Sequence, residues 1–245
     1  MNLSSLLPFA FLALAAPAFA ATTTLTVAAA SDLTALEPVL DRAFYETNSH
    51  VRLRWVNAAS AILSQQIDHG APYDIFMSAN VQYITQLASN GKLLRDSVAA
   101  YGVGRLGLLW HDGKHHPVKD LTQSWVRFVA LPNPQLAPYG VAARHAVKHE
   151  GLWKQVQPKI VYGENVRETL EMFDSGNADA VITSDSLLPK RNPQIIPQEW
   201  HQPILQKAGV VAASPNRAAA EKFMQFLVGS AGQAVFAQFG FSSPK

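Results

Sequence analysis

Short apolar runs of strand length alternate with helical patterns along most of the chain. Leu25–Ala30 is a mostly apolar run, typical of a buried strand, and apolar residues then recur at helical spacing from Thr34 to about Thr47. The alternation continues with a strand pattern in VRLRWV, a helix in AILSQQIDHG, a strand in YDIFMSA and a helix in VQYITQLASNG. This βαβαβα order predicts a parallel sheet covered by helices.

The same rhythm restarts near residue 100. Strand patterns occur in RLGLLW, VRFVAL, KIVYG and DAVITS, and helical patterns in GVAARHAVKHEGLW and VRETLEMFDSG. A short apolar AGVVAA then leads into two helices from Pro215 onward. Two βα series predict two α/β lobes, each a mostly parallel sheet flanked by helices. We place lobe I at 21–100 plus 206–245 and lobe II at 101–205, with Ala99–Gly102 as one connection.

Residues 1–20 have a different character. They are apolar, are interrupted by Pro8 and Pro17, and end in Ala18-Phe19-Ala20, the small-x-small pattern of a signal-peptide cleavage site. A membrane anchor is disfavoured because the run is short and has no charged flanks. We therefore expect export and removal of this segment.

Composition excludes several classes of function. The 245 residues carry a formal net charge of +2 and contain no cysteine. A chain so near charge balance, without a basic stripe, gives no indication of nucleic-acid binding. The lack of cysteine excludes disulfides, thiolate catalysis and cysteine-based metal sites. The 48% apolar content allows the cores to hold the fold together on their own.

Four strand-to-helix junctions share one chemistry. Ser31 and Ser60 each stand between a predicted strand and a helix, Tyr139 directly precedes a helix, and Val166 begins one. The first N–H groups of a helix have no intrahelical acceptor and lie at the positive end of its dipole. Such groups bind anions without a counter-charge, and open α/β sheets bind ligands at this edge. Four ordinary helix caps are the alternative that the junctions leave open.

At these junctions the chain resembles the periplasmic molybdate-binding proteins of ABC importers. The resemblance rests on VAAAS, AAS before ILSQQI, GAPYDIFMSA, PQLAPYG and GENVRETL, in that order, and extends over nearly all of the mature chain. It implies a two-lobed periplasmic binding fold with the oxyanion in the cleft between the lobes. Carried over residue by residue, the hydroxyl and N–H of Ser31 and Ser60 and the backbone N–H groups of Tyr139 and Val166 bind the anion.

The resemblance also implies a role and partners. The protein would be a periplasmic monomer that captures molybdate, and tungstate as well, and delivers it to a membrane permease with ATPase subunits. It would be no enzyme, would need no cofactor, and would hold molybdenum only as the oxyanion rather than at a cation site. Because every implied contact is a hydroxyl or a backbone N–H, we expect affinity to stay flat between about pH 6 and 8.5.

One departure from the family affects the site. Many relatives supply a tyrosine hydroxyl just after the strand that matches DAVITSDSLL, where this chain has Thr183 or Ser184 instead. The runner-up function is a sulfate- or phosphate-type oxyanion carrier on the same fold. Phosphate keeps a proton near neutral pH that a carboxylate can accept, and Asp32 is the only acid beside a proposed contact.

Other motifs point to different classes of protein. GVGRLG, at 102–107, matches the dinucleotide pattern, but the following LLWHDG is strand-like, where the mechanism needs a helix. A secreted serine hydrolase would need a nucleophile elbow, which neither Ser31 nor Ser60 has. His145 and His149 have helical i, i+4 spacing, but Ala146 stands where a zinc protease needs glutamate. A second group of metal-binding residues lies on a predicted loop: His111, Asp112, His115 and His116. We interpret both groups as solvated surface residues.

Overall fold

Two mixed five-stranded β-sheets organise the chain, and helices cover their faces. The computed structural model describes residues 22–244, so the predicted signal peptide lies outside the described residues. The strands are β1 Thr23–Ala30, β2 Val51–Ala58, β3 Ile75–Ser78, β4 Ala99–Gly104, β5 Leu106–Trp110, β6 Val129–Pro132, β7 Ile160–Gly163, β8 Ala180–Ser184, β9 Gln194–Ile195 and β10 Ile204–Val210. The helices are α1 Glu37–Tyr45, α2 Ser60–Asp68, α3 Val81–Ser89, α4 Pro138–His149, α5 Trp153–Val156, α6 Val166–Asp174, α7 Arg217–Val228 and α8 Ser230–Gln238.

The first sheet has the strand order β2-β1-β3-β10-β4. Strand β1 pairs in parallel with β2 and β3, whereas β10 runs antiparallel to β3 and β4. One face of β1, with Leu25, Val27 and Ala29, is fully buried beneath α1, α7 and α8, where Phe44 and Phe223 meet edge to face with ring centroids 5.0 Å apart. We call this sheet with its helices lobe I.

The second sheet has the order β7-β6-β8-β5-β9. Strand β6 pairs in parallel with β7 and β8, and β5 runs antiparallel to β8 and β9. Helices α4 and α6 pack on its strands, and this sheet with its helices is lobe II. The two-lobed α/β fold is confirmed. Each sheet is mixed because one strand, β10 in lobe I and β5 in lobe II, runs antiparallel to its neighbours.

The chain crosses between the lobes twice. The first crossing is at Arg105, between β4 and β5, and the second lies at 196–203, between β9 and β10. The chain thus passes from one sheet to the other at 105 and at 196–203. The sequence analysis placed the lobe boundaries at 100/101 and 205/206. The segment at 99–104, interpreted as a connection, is strand β4, which pairs with β10 at the edge of lobe I.

Most predicted helices and strands are present, with two differences in their bounds. The helix predicted from Thr34 begins only at Glu37, because Ser31–Leu33 forms a 3₁₀ turn. The helix predicted over GVAARHAVKHEGLW divides into α4 and α5 at Gly151, which has φ +72°. Gly70 and Gly91, with φ +86° and +71°, lie just past the ends of α2 and α3, as expected of left-handed residues after a helix.

Candidate functional site

The four predicted helix starts meet at the boundary between the lobes. Ser31 follows β1 and Ser60 is the first residue of α2, both in lobe I. In lobe II, Tyr139 is the second residue of α4 and Val166 is the first of α6. Their exposed fractions are 3%, 1%, 1% and 3% in that order, so the lobes enclose all four. Ala30 and Ala79 of lobe I pack in the same buried cluster as Tyr139 and Val166.

Lobe I contributes two buried serine hydroxyls. Ser60 Oγ accepts a hydrogen bond from the backbone N–H of Ala79 at 3.2 Å, which orients the oxygen and leaves its own proton free to donate. Ser31 Oγ is buried without any hydrogen-bond partner among residues 22–244. A buried polar group without a partner costs about 1–3 kcal/mol, which a hydrogen-bond acceptor entering the site would recover.

Lobe II contributes backbone N–H groups at two helix starts. In α4, proline occupies the first position, where it lacks an N–H, so Tyr139 is the first residue with a donor. In α6, the side chain of the N-cap Asn165 accepts from the N–H groups of Arg167 and Glu168, and the N–H of Val166 has no acceptor among residues 22–244. Both free N–H groups lie in the first turn, where the helix dipole favours an anion.

A close backbone approach fixes the start of α4. A Cβ atom on Gly140 would overlap the backbone of Pro132, the last residue of β6. Glycine therefore lets the first turn of α4 lie directly against the end of the strand that precedes it. This contact fixes the position of the turn that carries the Tyr139 N–H.

A buried carboxylate lies beside the proposed contacts. Asp32 Oδ2 accepts hydrogen bonds from Tyr139 Oη at 2.9 Å and from Gln206 Nε2 at 2.5 Å, while Oδ1 has no partner among the described residues. Burial raises the pKa of Asp32 from 3.8 to about 6, partly offset by these two hydrogen bonds. Sequence reasoning selected Asp32 but missed its partners Tyr139 and Gln206, and it missed Tyr101, whose Oη donates to Gln206 Oε1 at 2.5 Å.

A second carboxyl nearby also titrates at an unusually high pH. Glu37 Oε1 accepts from Asn57 Nδ2 at 2.7 Å. Burial, with a smaller contribution from the charge of Asp41, raises the pKa of Glu37 from 4.5 to about 7. The Asn57 hydrogen bond and the positive charge of Arg167, from lobe II, oppose this shift. Two groups close to the lobe boundary therefore change charge between about pH 6 and 7.

The two residues that occupy the family's tyrosine position have other partners. Thr183 Oγ1 donates to the carbonyl of Val166 at 2.9 Å, so its single proton holds the start of α6. Ser184 Oγ lies 2.7 Å from Ser186 Oγ and donates to it, because the single proton of Ser186 goes to the backbone carbonyl of Asp32. Thr183 therefore holds the start of α6, whose first N–H is a proposed anion donor, and the hydroxyl protons of both Thr183 and Ser184 are engaged within the protein.

The histidines lie away from the four helix starts. His145 lines a cavity of about 330 Å³ between the lobes, together with Asn80 and Gln202, and burial with the charge of Arg144 lowers the pKa of His145. His149 stacks on Trp200 with ring centroids 5.4 Å apart. Across residues 22–244, no group of three or more histidine or acidic side chains is arranged to hold a metal ion.

The other alternative motifs lack the surroundings their chemistry needs. GVGRLG forms the end of β4 and the start of β5, without the helix that a dinucleotide turn requires. Within the described part of the chain, Ser31 Oγ has no partner and Ser60 Oγ accepts only a backbone N–H, so neither serine is paired with a general base. No helix within 22–244 has the length and apolar character to span a bilayer.

Comparison with known proteins identifies the family. The bacterial extracellular solute-binding protein family matches residues 25–242. A candidate ABC transporter substrate-binding lipoprotein of Bacillus subtilis, YvgL, is 30% identical over 90% of this chain and 86% of its own. A molybdate-binding protein of Azotobacter vinelandii is 26% identical over 88% of each chain. The solved structure of an A. vinelandii periplasmic molybdate-binding protein superposes with a TM-score of 0.84 at 27% identity, covering 90% of this chain and 100% of that one. The chain therefore belongs to the bacterial extracellular solute-binding protein family, whose members bind solutes rather than catalyse reactions.

Proposed function

We propose that this protein captures molybdate, and tungstate as well, and delivers it to the permease and ATPase subunits of an ABC importer. The observation that carries the proposal is the buried, unpartnered hydroxyl of Ser31 at a boundary where three further helix starts meet. A small anion with several oxygens can accept hydrogen bonds from all of these groups at once, and only while the lobes are closed around it.

The chemistry of the donors favours a fully deprotonated anion. Each proposed contact is a hydroxyl or a backbone N–H, which donates and carries no charge. Molybdate near neutral pH is a dianion without a proton, so it needs donors only. Sulfate has shorter bonds, and a pocket of fixed donors around it would leave some donors unpaired at about 1–3 kcal/mol each. The similarity to molybdate-binding proteins over nearly the whole chain supports the same assignment.

The same proposal covers the cellular location, the oligomeric state and the cofactor requirement of the protein. Residues 1–20 would direct export to the periplasm and be removed. The mature protein would act as a monomer, because the closing of one cleft suffices to bind one anion. Molybdate is the cargo, and no cofactor takes part.

Isothermal titration calorimetry of the mature chain tests this function. Molybdate and tungstate should bind one to one, and sulfate and phosphate at least about tenfold more weakly, since each unpaired donor costs about 1–3 kcal/mol. Sulfate binding as tightly as molybdate would overturn the assignment. Tighter phosphate binding that disappears in Asp32→Asn would instead establish a phosphate carrier with Asp32 as the acceptor of the ligand's proton.

A further inference from the structure

One buried hydrogen-bond network crosses the lobe boundary. Asp32 belongs to lobe I, and its Oδ2 accepts from Tyr139 Oη of lobe II at 2.9 Å. On the lobe I side, Gln206 of β10 donates to the same oxygen, and Gln206 in turn accepts from Tyr101 of β4. Ser186 of lobe II donates to the backbone carbonyl of Asp32 at 2.6 Å. Both hydrogen bonds that reach Asp32 from lobe II therefore depend on closed lobes.

Tyr139 takes part in three interactions at once. Its backbone N–H is one of the proposed anion contacts, and its hydroxyl donates to Asp32 and accepts from Gln206 Nε2 at 3.0 Å. Gly104, the last residue of β4, makes room for this hydroxyl, because a Cβ atom there would overlap Tyr139 Oη. Holding the far end of the side chain fixes the residue whose N–H faces the anion.

The acceptor in this contact is not engaged by a cation. The turn that carries Ser186 also holds Asp185, which pairs with Arg105 at 2.7 Å. The partners of Asp32 Oδ2 are a tyrosine hydroxyl and a glutamine amide, both neutral. Hydrogen bonds to a buried carboxylate are stronger than those between neutral groups. The Tyr139–Asp32 bond is therefore well suited to hold two lobes together.

We propose that Asp32 is a positioning residue that latches the closed state: by holding the Tyr139 hydroxyl across the lobe boundary, it sets how long a bound oxyanion stays enclosed. The latch forms only after the lobes close, so it acts on the dissociation rate and leaves the encounter rate unchanged. The ligand experiment rests on the proposed function, whereas a second experiment without ligand does not.

Stopped-flow fluorescence with molybdate tests the effect on dissociation. Tyr139→Phe keeps the backbone N–H and removes only the hydroxyl, and it should raise the dissociation rate at least about tenfold, because it deletes the hydrogen bond to Asp32 and the one from Gln206. The association rate should change less than twofold. Tyr101→Phe is the matched control, because it deletes a hydroxyl of the same network whose bond stays inside lobe I. Its dissociation rate should stay within twofold of the unchanged protein.

Substitutions at Asp32 separate a latch from a purely structural carboxyl. Asp32→Asn keeps an oxygen that can accept from Tyr139 and should dissociate within about threefold of the unchanged protein, whereas Asp32→Ala removes that acceptor and should raise the dissociation rate about tenfold. Thermal unfolding of each variant shows that it is folded. The latch is excluded if Tyr139→Phe leaves the dissociation rate unaltered, or if Asp32→Asn releases molybdate as fast as Asp32→Ala.

A measurement without ligand tests the latch independently of the proposed function. The chain has no cysteine, so Gln86→Cys and Lys148→Cys would carry a pair of dyes without competing thiols. These exposed positions lie one helical turn from the cleft-lining residues Gln82 and His145. Single-molecule energy transfer should show fewer closed molecules in Tyr139→Phe than in Tyr101→Phe. Equal distributions would overturn the latch, and failure of the unchanged protein to bind molybdate would overturn only the proposed function.

Discussion

The two lobes approach the same site with different chemistry. Of the proposed contacts, lobe I contributes the hydroxyl and N–H of Ser31 and Ser60, whereas lobe II contributes only the backbone N–H groups of Tyr139 and Val166. An ordinary substitution can delete a hydroxyl, but only proline deletes a backbone N–H. The side chains of lobe II are thereby free for other contacts: Val166 packs in the core and the Tyr139 hydroxyl reaches Asp32. On this proposal, anion binding constrains which residues lobe I can have at its contact positions. In lobe II, packing and lobe closure constrain them instead.

The largest loss of molybdate affinity is expected when both serine hydroxyls of lobe I are removed. The double variant Ser31→Ala/Ser60→Ala should weaken molybdate binding at least about 100-fold, because two hydrogen bonds to a charged ligand contribute about 1.5–3 kcal/mol each. Calorimetry measures the loss. Full affinity in the double variant would mean that neither hydroxyl contacts the anion.

The single variants sharpen this result without ligand. Ser31→Ala removes a buried hydroxyl that has no partner and should not lower the melting temperature. Ser60→Ala removes the acceptor of the Ala79 N–H and should cost about 1 kcal/mol of stability. Equal melting temperatures for the two variants would argue against this distinction.

A smaller effect is expected from removing one donor of lobe II. Val166→Pro deletes the N–H at the first position of α6, where proline fits the helix, and the preceding Asn165 already has the extended φ of −141° and ψ of 175° that a residue before proline adopts. Affinity should fall about tenfold, as for one lost hydrogen bond to an anion.

The matched control for this proline is Val166→Ala. It trims the same side chain but keeps the N–H, so its affinity should exceed that of Val166→Pro by at least about fivefold at a similar melting temperature. If both variants bind equally well, the N–H of Val166 contributes nothing to binding.

The smallest expected effect is on how the melting temperature depends on pH. The folded-state pKa values of Asp32 and Glu37 are raised from 3.8 to about 6 and from 4.5 to about 7. A raised carboxyl pKa means that the folded state binds the proton more tightly, so this stabilisation is full below the ordinary values and is lost as the pH rises through about 6 and 7. The melting temperature should therefore fall by a few degrees more between pH 5 and 8 in the unchanged protein than in Asp32→Asn.

Glu37→Gln serves as the comparison for this pH series. Glu37 is only half-buried, so solvent screening makes its contribution smaller than that of Asp32. A melting-temperature profile of Asp32→Asn parallel to that of the unchanged protein would contradict the titration of Asp32. Neutral donors alone predict that molybdate affinity is constant between about pH 6 and 8.5. Because the pKa values of Asp32 and Glu37 are about 6 and 7, we expect the affinity to be constant only above about pH 7.

Much of the fold could be predicted because it depends on local patterns. Ser60 and Val166 stand at helix starts that the sequence periodicity marks. Gly70 lies just past the end of α2, where a left-handed φ favours glycine over other residues. Strand β4 escaped prediction because its glycines break the apolar period. Its status as a strand comes from pairing with β10, which is about 100 residues away in the chain.

The contacts of the site were less predictable than its helix starts. Nothing near Asp32 in the sequence indicates that its carboxylate meets Tyr139, 107 positions away, and Gln206, 174 positions away. Such partners arise from tertiary packing, which single-sequence patterns do not encode. Likewise, Thr183 could be taken for a ligand donor until the structure showed its proton committed to the Val166 carbonyl.

The near-complete enclosure of the four helix starts has a consequence for unloading. A cargo held by groups that are at most 3% exposed has no exit while the lobes remain together. Its residence time therefore equals the lifetime of the closed form. Docking on the importer must separate the lobes. Every hydrogen bond that crosses the lobe boundary adds to the free energy that this separation requires. A variant with a stronger crossing bond would scavenge dilute cargo well and still starve the cell, because each delivery would take longer.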